Sequence, residues 1–148
     1  MTPQRFTVTG LIALLALAPL AVRASDSAAV AARTAATTNR VVFQVTEDDS
    51  RKWNSILANI SNVQEELRQV DIAVVVIGPG LGMLKADALT ANRVQDAMAA
   101  GVRFVACGNS MHAQGLTKDD MIDGIAYAKA GYVEVMRLQQ QGWVYIWP

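Results

Sequence analysis

From residue 40 onward the chain alternates short β-branched runs with stretches whose apolar residues recur every three or four positions. Residues 40–46 carry Val41, Val42, Phe43 and Val45. This predicts a buried strand, because β-branched and aromatic side chains fit a pleated surface. Glu47, Asp48, Asp49 and Ser50 follow, and Asp49 or Ser50 can accept the unpaired N–H groups that open a helix. Between Ser50 and Gln69 the apolar positions are Trp53, Ile56, Leu57, Ile60, Val63 and Leu67, which trace one helical face. Residues 72–77 are apolar without alternation, as in a strand covered on both sides. Gly78-Pro79-Gly80-Leu81-Gly82 breaks that run. A second helix is predicted within residues 88–100, with Gly101 ending it. Residues 102–106 form a third strand that delivers Cys107. Thr117-Lys118-Asp119-Asp120 has capping-box spacing. Residues 125–129 suit a short fourth strand, and residues 132–141 a helix closed by Gly142. Trp143, Tyr145 and Trp147 alternate with Val144 and Ile146, a further strand pattern.

Alternating strands and helices predict an α/β fold. The expected architecture is one domain with a mainly parallel sheet of about five strands and helices on both faces, in flavodoxin-type layering. The domain is expected over residues 40–148, long enough to bury a core without covalent staples. No internal repeat or coiled coil is visible.

The first 39 residues follow a different pattern. Arg5 precedes an apolar run from Leu11 to Val22, and Val22-Arg23-Ala24 places small residues at the positions a signal peptidase reads. Residues 1–24 are therefore expected to be a secretory signal peptide cleaved after Ala24, with a periplasmic mature protein. The run is shorter than the ~20 apolar residues that span a bilayer, and Pro19 interrupts it, which disfavours an uncleaved anchor. No stable membrane insertion is expected after cleavage. No twin-Arg pair is present, so the general export route is expected. Residues 25–39 lack periodic hydrophobicity and read as a flexible Ala- and Thr-rich lead-in.

Composition narrows the function classes. With 13 Lys+Arg and 13 Asp+Glu the net charge is zero. No segment is strongly basic, which excludes a nucleic-acid partner held by phosphate neutralisation. One Cys excludes an internal disulfide framework, and one Cys with one His is too few for a tetrahedral metal centre, so no metal is expected. The 52% apolar content is raised by alanine, since 11 of the 24 alanines lie before residue 37, so the excess belongs to the N-terminal segment rather than to an unusually greasy core.

In open parallel sheets ligands bind beyond the carboxyl ends of the strands. Residues 47–50, 78–83 and 107–112 leave the first three strands there. Cys107 is the focus. If a helical turn begins at Gly108, the backbone N–H groups of Gly108, Asn109 and Ser110 face the sulfur and favour its thiolate. The same position equally suits a buried, inert cysteine. His112 can act as a general base or imidazolium partner, or can be an exposed loop histidine. Gly78, Gly80 and Gly82 match neither dinucleotide nor Walker patterns, and read as a tight turn bringing backbone near the site. Lys85 can add positive charge near the sulfur or simply be solvated. Met83 and Met111 can line a soft pocket wall or fill the core. Helix capping accounts for Asp48 and Asp49. The stripe of Trp143, Tyr145 and Trp147 suits core packing or a subunit interface.

Four segments also resemble a known family: residues 75–84 (VVIGPGLGML), 102–111 (VRFVACGNSM), 116–121 (LTKDDM) and 141–146 (QGWVYI). Together they are similar to the DsrE/DsrF-like family, in its branch of small exported stand-alone proteins, over residues 40–148. The resemblance implies a compact domain with a parallel sheet, assembled into oligomers; for this chain a homo-oligomer of three or more copies is expected. It also implies that a cysteine placed like Cys107 accepts sulfane sulfur as a persulfide and passes it to a partner. Sulfur donor and acceptor proteins or small thiols would be the partners. The better understood relatives are cytoplasmic, whereas this chain carries an export signal.

Three functional expectations follow. The leading one is a periplasmic sulfur carrier or sulfurtransferase-like protein with Cys107 as nucleophile, needing no cofactor because thiol exchange uses the sulfur itself. The second is a non-catalytic binding or assembly module with an unreactive Cys107. The third is a thiol redox sensor in which Cys107 becomes a sulfenic acid or an intermolecular disulfide.

Overall fold

The computed structural model describes residues Asn39–Pro148. The expected signal peptide of residues 1–24 and nearly all of the lead-in lie outside the described residues. Five strands form one sheet: β1 (Asn39–Val45), β2 (Val70–Val76), β3 (Arg103–Cys107), β4 (Ala126–Ala128) and β5 (Val144–Ile146). Their order is β4-β3-β2-β1-β5, and every neighbouring pair is parallel. The helices are α1 (Ser50–Leu67), α2 (Ala91–Ala99), α3 (Gly108–Ala113) and α4 (Gly131–Gln140). Two 3-10 segments, Gly78–Leu84 and Lys118–Asp120, complete the elements.

Local chemistry accounts for the boundaries. Asp49 is the residue that caps α1, accepting from the N–H groups of Arg51 at 2.9 Å and Lys52 at 3.4 Å. The Trp53 indole donates to the Glu47 carbonyl at 2.7 Å, tying the first turn of α1 to the end of β1. Thr117 and Asp120 cap each other reciprocally, as their spacing predicts. Gly101 lies at φ +91°, the left-handed conformation that ends α2. β1 begins at Asn39, one residue earlier than predicted, because Asn39 pairs with Val70 in the ladder.

The sheet divides the core in two. Val41, Phe43, Val45, Ile72, Val74 and Val76 face α1 and α2, meeting Trp53, Ile56, Leu57, Ile60 and Val94. The alternate residues Val42, Ala73, Val75, Val105 and Cys107 face α4, meeting Val135 and Leu138. Period-two alternation on strands buried on both sides produces this division. Successive strands β1 to β4 step in one direction. The chain then crosses back over the sheet to place β5 beside β1, and α4 is that crossover, so it covers the opposite face. No helix among the described residues is long and apolar enough to cross a membrane.

Candidate functional site

The strand order settles which strand ends meet. β3, β2 and β1 are adjacent, so the segments after them line one edge of the sheet. The Gly78–Leu84 turn links the other two. Gly80 N–H donates to the Thr46 carbonyl at 3.0 Å, and Gly78 N–H donates to Ser110 Oγ at 2.9 Å. Gln114 Nε2 donates to the Gly78 carbonyl at 2.7 Å, so both ends of the Gly78 residue are held by α3 and the residue after it. Gly78 adopts φ +58°, where a side chain would be strained.

Cys107 ends β3 and stands at the N-cap position of α3. Its side chain points to the α4 face and is 4% exposed. The first N–H of α4, on Gly131, donates to Cys107 Sγ at 3.2 Å. Glycine is required there: a Cβ on Gly131 would lie 2.6 Å from Ile77 Cγ1 and 3.1 Å from Cys107 Cβ. The thiol is therefore seated where the opening turns of α3 and α4 converge.

Burial is the largest influence on the thiol and pushes its pKa up. Hydrogen bonds from the Ser110 hydroxyl, Gly131 N–H, Ser110 N–H and Asn109 N–H, in decreasing order, together outweigh it and leave the pKa below the ordinary thiol value. The weak contribution of Asn109 has a visible cause, since its N–H is already given to the Lys129 carbonyl at 3.0 Å. Ser110 has the opposite arrangement. Its oxygen accepts from Gly78 N–H, which leaves its own proton free to face the sulfur.

The structure thus gathers Cys107, Gly108, Asn109, Ser110 and Gly78. It places the other candidates elsewhere. Gly80 packs where a Cβ would meet the Val45 carbonyl oxygen at 2.9 Å, and Gly82 where one would meet Trp53 Cη2 at 2.8 Å. Both are close-packing glycines rather than groups around the sulfur. Lys85 pairs with Asp87 at 3.3 Å instead of charging the thiol's surroundings. It borders an open cavity of about 690 Å³ with Asp48, Trp53, Pro79 and Gln114, whose lining does not include Cys107. Met83 and Met111 are buried in the core between the sheet and α1, the packing alternative for both. His112 is exposed near the end of α3, beside a second cavity of about 330 Å³ with Lys118 and Tyr127, and no hydrogen bond joins it to Cys107. Among the described residues no group of three or more His, Cys, Asp or Glu could hold a metal ion.

Gly131 is the participant that sequence reading missed. The helix pattern starts at Tyr132, and a glycine before a helix reads as a boundary. The available signal was its smallness directly ahead of an apolar helix that must cross a fully buried sheet face.

The model of the DsrE/DsrF-like family matches residues 12–148. No curated protein matches the chain. Among solved structures, a protein of unknown function from Methanobacterium thermoautotrophicum is 34% identical with a TM-score of 0.73, covering 74% of this chain and 99% of that one. A conserved protein of unknown function from Bacteroides thetaiotaomicron is 13% identical with a TM-score of 0.63, covering 76% of this chain and 99% of its own. The ychN protein from E. coli is likewise 13% identical with a TM-score of 0.63, over 74% of this chain and 99% of that one. The last two likenesses concern the fold alone.

Proposed function

The chain belongs to the DsrE/DsrF-like family, and we propose that it is a periplasmic sulfur carrier holding sulfane sulfur as a persulfide on Cys107. Membership of the family points to a function related to sulfur relay. The observation that carries the finer reading is the donor set around Cys107 Sγ. Gly131 N–H donates to the buried sulfur at 3.2 Å, and the Ser110 hydroxyl and N–H close to it also favour its anion. An inert core cysteine needs no such set. The signal-peptide-like pattern of residues 1–24 supports the periplasmic location.

The chemistry balances without an external oxidant or cofactor. The Cys107 thiolate attacks the terminal sulfur of a donor persulfide. A new bond forms between Sγ and that sulfur, the donor's S–S bond breaks, and the donor leaves as its thiolate. Transfer onward reverses the roles, with an acceptor thiolate attacking the outer sulfur and Cys107 leaving as thiolate. The same donors that favour the anion also help Cys107 depart as the leaving group. His112 and Lys85 have no assigned part in this step.

The test is the intact mass of the protein after incubation with glutathione persulfide. The expected result is a gain of about 32 Da, one sulfur atom, reversed by excess thiol and absent in Cys107→Ser. Sulfur uptake by Cys107→Ser, or no adduct on the wild type, would overturn the reading. A gain of one oxygen under peroxide, with no sulfur adduct, would instead select a redox sensor. The 690 Å³ cavity beside Trp53 favours one other reading, a small-ligand binding module, which predicts an unreactive Cys107.

A further inference from the structure

Gly78 is gripped at both of its backbone polar groups by residues of one helical turn. Ser110 lies in α3 and Gln114 closes it, four residues apart, the spacing that sets two side chains on one helical face. Ser110 Oγ accepts from Gly78 N–H at 2.9 Å, and Gln114 Nε2 donates to the Gly78 carbonyl at 2.7 Å. Gly78 holds φ +58° between them. A Cβ there would meet nothing within 4 Å, so the glycine serves the backbone angle rather than a close contact.

A glycine has no side chain to hold its own dihedral angles, so its partners must hold them. The neighbouring anchors lie on either side: Ile77 N–H donates to the Val45 carbonyl and Gly80 N–H to the Thr46 carbonyl. Neither reaches the Gly78 carbonyl, which Gln114 takes. With that carbonyl released, Gly78 is free to leave its left-handed conformation, and its N–H no longer has to meet Ser110. Ser110 then has another use for its hydroxyl, since a helical serine readily bonds back to a carbonyl one turn earlier. Bound to Gly78, it keeps one rotamer, with its oxygen occupied and its proton free to face the sulfur. We propose that Gln114 is a positioning residue for Cys107: its amide holds Gly78, Gly78 holds Ser110, and Ser110 keeps its hydroxyl at the sulfur. This role rests on the reading of Cys107 as the sulfur carrier.

The surroundings of Gln114 make the role separable from packing. Gln114 is exposed, and its side chain borders the open 690 Å³ cavity rather than the core, so replacing it removes an amide without opening a void. Gln64 provides the contrast. Its Nε2 donates to the Ala100 carbonyl at 2.9 Å, a bond of the same kind between α1 and the end of α2. That bond has no link to Gly78 or Ser110, so its loss should cost stability alone.

The assay is thiolate absorbance against pH, each protein read by difference from its own Cys107→Ser counterpart. The set is wild type, Gln114→Met, Ser110→Ala, the double variant and Gln64→Met. Methionine keeps roughly the length of glutamine and removes its donor. The expected result is a ratio of thiolate to thiol at neutral pH that falls at least about threefold in Gln114→Met and keeps its wild-type value in Gln64→Met. In the Ser110→Ala background Gln114→Met should change the ratio less than about 1.5-fold, because the residue through which it acts is gone. A Gln114→Met curve that coincides with wild type would overturn the proposal. So would a fall of equal size with and without Ser110, or an equal fall in Gln64→Met. Amide exchange of the wild type decides the matter should a variant misfold. Gly78 N–H must exchange at least about 100-fold more slowly than in an unfolded chain, and exchange at the unfolded rate refutes the clamp. No persulfide enters these readouts, so the positioning role and the carrier reading stand or fall separately.

Discussion

Replacing Gly131 by alanine tests the central claim about Cys107, because it acts on one donor without touching the sulfur. The added Cβ would lie 2.6 Å from Ile77 Cγ1 and 3.0 Å from Ile77 Cδ1. Ordinary carbon contacts fall at about 3.5–4.0 Å, so α4 or Ile77 must retreat by roughly 1 Å. Such a retreat by α4 lengthens the 3.2 Å contact from Gly131 N–H to Sγ beyond useful hydrogen-bond range. A hydrogen bond to a charged group contributes about 1.5–3 kcal/mol. Taking the lower end, because Ser110 remains in place, the ratio of thiolate to thiol at neutral pH should fall roughly tenfold. Stability changes less. Overpacking costs about 1–3 kcal/mol, while alanine over glycine returns about 0.4–1 kcal/mol through the unfolded chain. A net loss of about 1 kcal/mol lowers the melting temperature by about 4 °C for a domain of this size. The assay is ultraviolet absorbance of the thiolate against pH, an equilibrium measure that does not depend on access to a buried sulfur. Cys107 is the chain's one cysteine, so subtracting the titration of Cys107→Ser, which carries the tyrosine ionisations, isolates its signal. Titration curves that coincide in wild type and variant while the melting temperature falls would refute the role given to Gly131 N–H.

Ser110→Ala should lower the thiolate fraction in the same titration, and should cost about 1 kcal/mol in urea unfolding because Gly78 N–H loses its partner. Gly82→Ala places a Cβ 2.8 Å from Trp53 Cη2 and should cost about 1–3 kcal/mol, with the thiolate titration unchanged. The stability advantage of wild type over Cys107→Ala should grow with pH. The folded thiol titrates below the unfolded one, so its contribution is complete above about pH 8.5 and fades as pH falls through the folded value. Urea midpoints that separate in the opposite direction would contradict a depressed pKa.

The elements were largely legible because their burial is regular. Continuous apolar runs at β1 and β2 reflect a sheet covered on both faces, and the spacing of Trp53, Ile56, Leu57 and Ile60 reflects one helix lying on one face. The ends moved by a residue or two where the ladder decided them. β2 begins at Val70 and includes the polar Asp71, because both pair with β1 through the backbone. Strand order was not legible, since each strand is apolar on both sides and no local pattern names its neighbours. That is also why the site was only half legible. Cys107 and Ser110 lie close in sequence, and the conditional helix after Cys107 exists as the six-residue α3. Gly131 comes from the far side of a crossover and meets the sulfur only in the folded chain. Lys85 was assigned by closeness in sequence to the Gly78 turn, and the fold directs it to Asp87 instead.

Seating a thiolate beneath a helix sets two requirements against each other. Donors from α3 and α4 raise the fraction of sulfur in the reactive form, but the packing that aims them leaves Cys107 only 4% exposed. Reaction rate with any electrophile is then the product of thiolate fraction and access, and the two respond oppositely to loosening of α4. A change that releases the α4 N-terminus lowers the thiolate fraction while opening the sulfur. Tightening it does the reverse. Rates alone therefore misreport the site: an accelerated alkylation in Gly131→Ala is compatible with a weaker thiolate. Equilibrium absorbance isolates the first factor, and dividing it out of the alkylation rate isolates the second.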